Sequence, residues 1–150
     1  MPHFGFVDET RISREAATLL RAKLHLRCGR RRVREGKDAA GLATLYDALL
    51  SGMRWHILMT PRLKEALGSN DPGERLENDR VVVALMRQAG ILDGAFPWEH
   101  FQGLVDQALM GKKGAFDRQA VLVWVDDVMT RLGVMPFDEN ELPAENPATF

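Results

Sequence analysis

The stretch DAAGLATLYDALLSGMRWHILM, residues 38–59, decides the fold. Leu42, Leu45, Tyr46, Leu49, Met53 and Ile57 recur near three-to-four spacing. In a helix of 3.6 residues per turn that spacing makes one continuous apolar stripe. Asp47 and Arg54 fall off the stripe. Thr60-Pro61 follows, and proline removes a donor and clashes with the preceding turn, so it either ends this helix or starts a short one.

Upstream, Ile12, Ala16, Leu19, Leu20 and Leu24 predict a helix from about Thr10 to Cys28, with arginines between them. Downstream, Asp71-Pro72-Gly73-Glu74 reads as a helix start, with a capping carboxylate, a proline at the first position and an acid three residues on. That helix carries Leu76, Val83, Met86 and Ala89 inward, Val82 and Leu85 widen its stripe, and Gly90 stops it with Ile91 folding back. A fourth helix begins near Pro97, keeps Trp98, Phe101, Leu104, Val105 and Ala108 in phase, and stops at Gly111. After a GKKG turn, Asp117 caps a fifth that ends at Gly133. Its AVLVWV core is rich in β-branched residues, but the repeat at 121, 125, 128 and 132 and the flanking caps favour helix. Short connections favour antiparallel neighbours, so the expected fold is all-α: an up-and-down bundle of four to five helices over residues 1–133. Residues 134–150, with Pro136, Pro143, Pro147, four acids and no basic side chain, read as an irregular acidic tail lying against the body through Phe137 and Leu142.

The composition fits one domain: 150 residues, 45% hydrophobic and 27% charged, with a formal net charge of −1. No charge-free apolar run approaches the roughly 20 residues of a membrane span. A single cysteine excludes an internal disulfide and makes a reducing compartment, the cytoplasm, the expectation. The opening MPHFGFVDET has no basic head or apolar stretch, so no secretory signal is expected. The near-zero net charge hides an asymmetry. Residues 11–37 hold ten basic side chains against Glu15 and Glu35, while residues 38–150 hold ten basic and seventeen acidic ones. Such a division suggests an anion-binding face, or a charge-paired contact within the fold or with a partner.

The loudest local signal is Arg27, Arg30, Arg31, Arg32 and Arg34 around Cys28. Guanidinium forks bind phosphate bidentately, which makes these five the phosphate-binding candidates. No aromatic stacking platform accompanies them and the pI is about 6.4, so a solvated or partner-docking role stands ahead of nucleic acid. His3, His25, His56 and His100 are scattered without metal-ligand spacing, so neither a metal nor a cofactor is expected. His56 sits at the edge of the 38–59 stripe, where a hydrogen-bonded core histidine is the ordinary outcome. His25 lies four residues after Arg21. His56, His25 and Arg54 are the catalytic candidates if the chain is an enzyme, with histidine as general acid or base. Asp106 and the pair Asp126-Asp127 read as solvated surface, and the aromatic residues as core. There is no glycine-rich phosphate loop, serine nucleophile elbow or zinc-finger spacing.

Residues 15–58 resemble the first two helices of HEPN domains: an Ala-Leu-rich helix, a short basic link, then a helix opening with Asp38, Ala39 and Ala40 and carrying Leu45, Tyr46, Asp47 and Ala48. The later helices fit a bundle of that length, so the resemblance spans about residues 10–133. It implies a fold that often dimerises and often works beside a nucleotidyltransferase partner in toxin–antitoxin or defence settings. Many members are metal-independent ribonucleases that place an arginine a short interval upstream of a histidine. Here no arginine stands among Leu49, Leu50 and Ser51 before His56 or in the stretch Asp93 to Phe96 before His100, and Arg21 falls one residue too close to His25. The expectation is therefore a non-enzymatic module that self-associates or docks a protein partner. The alternative is a ribonuclease or nucleotide-binding protein using the Arg27–Arg34 cluster.

Overall fold

Serine at 13 opens the first long element, its hydroxyl accepting from the Ala16 N–H. In the computed structural model, which describes residues 2–3, 6–68, 72–92, 97–112 and 114–150, α1 runs Arg14–Arg34 and α2 runs Asp38–Met59. They are followed by α3 (Pro61–Ala66), α4 (Pro72–Leu76), α5 (Asp79–Gln88), α6 (Trp98–Leu109) and α7 (Arg118–Arg131). Residues 134–150 hold two single turns of 3-10 helix, Glu139–Glu141 and Pro147–Thr149. Among the described residues there is no strand, and no helix is long and apolar enough to cross a membrane.

The all-helical class stands, but three boundaries move. The first helix starts at Arg14 rather than Thr10 and continues through the arginine cluster instead of ending at Cys28. It stops where Gly36 takes φ +77° and the Lys37 N–H reaches back to the Arg32 carbonyl, which satisfies the last turn. The expected helix over 71–90 is two: α4 ends at Leu76, and Asn78 caps α5 by accepting from the N–H groups of Arg80 and Val81. Asp71 and Lys113 lie outside the described residues. Thr60-Pro61 does both things open to it, ending α2 and starting α3. Asp117 caps α7 as the sequence suggests, and AVLVWV is helical, with Val121, Leu122, Trp124 and Val125 buried.

α1 and α2 form an antiparallel hairpin. Gly29 faces Leu45, Gly41 faces Val33, and Arg32 hydrogen-bonds Thr44 at 2.7 Å. A Cβ on Gly29 would sit 2.8 Å from the Leu45 side chain, and one on Gly41 would sit 2.7 Å from Val33, so the two glycines allow the helices to touch at this end. α2 is the centre of the molecule, with α1, α3, α5, α6 and α7 all packed against it. Its stripe residues Leu42, Leu45, Leu49, Met53 and Ile57 are buried, and so are Gly41, Ala48, Leu50 and Gly52 on other faces. A helix buried nearly all round explains why this segment tolerates so few charges. The far wall is an aromatic cluster in which Trp98 packs on Tyr46, Phe101 and Trp124 with ring centroids 5.5 to 6.3 Å apart.

Candidate functional site

The sequence candidates lie on three sides of α2. His25 on α1 is 4% exposed. Its Nε2 is 2.7 Å from Nδ1 of His3, whose ring stacks on it at 5.0 Å, and its Nδ1 is 3.9 Å from the Asp47 carboxylate without a hydrogen bond. Burial pushes the His25 pKa down to about 4, with His3, Arg21 and Arg32 acting in the same direction. His3 is lowered too, by burial and then by Arg21. Asp47 is raised by burial and by Asp79, against the opposing pull of Arg54. The pair is therefore uncharged at neutral pH, which suits packing better than phosphate binding.

Arg54 leaves α2 toward α4 and α5. Its Nε donates to the Leu76 carbonyl at 2.8 Å and its Nη2 to Asp79 at 2.8 Å, while the Tyr46 hydroxyl sits 3.3 Å from the second Asp79 oxygen. Burial first, then Asp79, pushes Tyr46 up to about 12. This network ties α2 to the break between α4 and α5. His56 points elsewhere: its Nδ1 lies 3.0 Å from the Leu132 carbonyl and can donate to it at the C-terminal end of α7. His56 and the two other candidates thus make no common site.

Arg30, Arg31 and Arg32 of the arginine cluster are engaged within the chain. Arg30 bridges Asp126 at 3.0 Å and Glu139 at 2.6 Å. Arg31 pairs with Glu35 and Glu145, donates to the Thr149 carbonyl at 3.0 Å and lies over the Phe150 ring. Arg32 donates to Thr44 and to the same Thr149 carbonyl. Arg27 is half-buried, and Arg34 is exposed beside the turn. The segment after α7 therefore lies across the basic face of α1, held by charge as well as by the partly buried Phe137. Cys28 is buried beside Arg31.

The surface holds several concave regions, among them a cleft and a groove that abut α2. A cleft of about 410 Å³ opens between α1 and α2 at the end away from Gly29 and Gly41. Arg14, Thr18 and Arg21 line it from α1, and Ser51, Arg54 and Leu58 from α2. A groove of about 560 Å³ lies between the start of α2 and the end of α6, walled by Leu42, Leu104, Ala108 and Phe116. The Asp38–Arg118 ion pair, 2.6 Å, also borders it. Sequence reasoning passed over Arg14, Thr18 and Ser51. The usable signal was the spacing of 14, 18 and 21, which puts two arginines and a hydroxyl on one face of α1. No group of three or more His, Cys, Asp or Glu among the described residues is placed to hold a metal ion. No protein-family model, curated protein or solved structure matches the chain.

Proposed function

We propose that this chain is a non-enzymatic helical module that pairs with a second copy of itself through the groove between α2 and α6. The observation that carries the reading is a knob beside a hole. Leu109 and Met110, 66% and 69% exposed, follow directly on Ala108, which lines the apolar groove. A two-fold contact needs both halves on one patch, so that each copy inserts what the other receives. Exposed apolar side chains next to an apolar depression are also the surface that water penalises most.

The same reading takes the helices as an up-and-down bundle of HEPN-like type, working in the cytoplasm. What supports the non-enzymatic half is the separation of His25, Arg54 and His56 and the commitment of Arg30, Arg31 and Arg32 to carboxylates and carbonyls of their own chain. Sedimentation velocity from low to high micromolar concentration tests it. The wild type should approach twice the chain mass, and Met110→Asp should remain at one chain mass with unchanged helicity. A wild type that stays monomeric throughout contradicts the proposal.

A further inference from the structure

The segment after α7 is attached to the body differently from every helix before it. Of the described residues 135–150, Thr149 alone is buried, and beyond Val134 the core is touched by the half-buried Met135 and Phe137. From Asp138 on, its polar contacts with the body go to three arginines of α1. Glu139 pairs with Arg30, Glu145 with Arg31, and the Thr149 carbonyl accepts from Arg31 and Arg32 at 2.8 to 3.1 Å. The Phe150 ring lies over the Arg31 guanidinium at 4.4 Å. Ion pairs partly open to water are individually weak and are screened by salt. The segment can therefore lift from α1 without opening the core.

The charges beneath it balance only when it is seated. Residues 23–37 carry seven basic side chains against Glu35, and Asp126 of α7 adds one acid at Arg30. The segment brings Asp138, Glu139, Glu141 and Glu145, which turns seven cations against two acids into seven against six. The hydrogen bonds are less complete than the charges. The Nε of Arg30 and, one turn earlier on α1, the Nε of Arg27 are buried with no hydrogen-bond partner. The Arg30 side chain is only 11% exposed, so water does not stand in for the missing acceptor. Buried N–H groups without a partner cost free energy, which a ligand with more acceptors would recover.

We infer that the arginine face of α1 is a recognition site for an acidic peptide segment of a partner protein, and that residues 138–150 occupy it as a resident competitor. The groups already seated there identify the class of ligand. Two carboxylates six positions apart, a main-chain carbonyl shared by two guanidinium groups and an aromatic ring over one of them are the parts of a peptide. A nucleic-acid strand fits the face less well, because α1 has no Phe, Tyr or Trp on which bases could stack. A partner peptide must displace a segment tethered beside the site, so occupancy is set by competition between the two. None of Arg30, Arg31 and Arg32 lines the groove between α2 and α6, so this surface is distinct from the one proposed for self-association.

Fluorescence anisotropy of a labelled peptide with the sequence of residues 138–150, DENELPAENPATF, titrated with the full chain at low salt, tests the inference. A chain carrying Glu139→Gln and Glu145→Gln should bind it saturably and about tenfold more tightly than the wild type, because two ion pairs that hold the resident segment are gone. Adding Arg31→Gln should abolish that gain. Arg31→Lys, which keeps the charge but loses the fork, should lose part of it, and unchanged helicity in each variant separates lost binding from lost structure. Met110→Asp should bind the peptide as its parent does, which keeps this test distinct from that of self-association. Overturning results are no saturable binding to the doubly substituted chain, equal affinity in it and in the wild type, or no effect of Arg31→Gln. Tighter binding of a single-stranded RNA oligonucleotide of the same length, or a loss that appears with Met110→Asp, would overturn it as well.

Discussion

Lowering the pH asks His3 and His25 to take up protons where burial and nearby arginines oppose it. Their folded pKa values lie below the ordinary value, so the unfolded chain binds protons first as the pH falls. Stability is full above about pH 6.5 and drains away toward about pH 4. From His25 alone the loss between about pH 6.5 and pH 5 is on the order of 2 kcal/mol. Asp47, with its pKa raised, acts in the opposite sense lower down, so the histidine effect shows most clearly above the carboxylate range. Thermal unfolding of wild type and His25→Gln over that window checks this: the wild-type midpoint should fall, and the variant's should fall less, with only His3 left to resist protonation. A parallel decline would contradict it. Arg54 gives a second test at this scale. Arg54→Met should lower stability by about 1–3 kcal/mol, because it leaves the Leu76 carbonyl and Asp79 without their donor. Sequence alone marked His25, His56 and Arg54 as worth locating. It had no means of pairing Arg54 with Asp79, because that contact joins residues 25 positions apart across a helix break.

At the scale of elements, the hairpin of α1 and α2 depends on two positions without side chains. Gly41→Ala places a methyl 2.9 Å from the Val33 backbone nitrogen, where no side-chain rotation relieves it, and should cost about 1–3 kcal/mol. Gly103, in the middle of α6, has open space at its Cβ position, so Gly103→Ala should instead add about 0.5–1 kcal/mol. Urea denaturation of the two variants checks the opposite signs. Most helices were legible from period, cap and stop: Asp117, Gly90, Gly111 and Gly133 stand where the sequence suggests. The end of α1 was not. Gly29 and the arginines around it look like a link in isolation, and only the close approach of Leu45 shows why a glycine stands inside a helix. The break at Asn78 was hidden because Leu76 and Val83 keep helical phase across it.

For the molecule as a whole, the division between a basic N-terminal third and an acidic remainder resolves into an internal contact. Glu139 and Glu145 cover Arg30 and Arg31, one of the outcomes the charge pattern left open. Neutralising both acids as Glu139→Gln with Glu145→Gln should uncover the basic face and lengthen retention on a heparin column in a salt-sensitive way. Unchanged retention would mean the arginines are held by the remaining partners alone. The groove at α6, the cleft at Arg14 and the docked C-terminal segment are all built outward from one helix enclosed by five others. Native-state amide hydrogen exchange tests that arrangement most directly. Leu45 to Met53 should exchange slowest in the chain, at the rate of global unfolding. Exchange of those amides as fast as at the exposed end of α6 would contradict it.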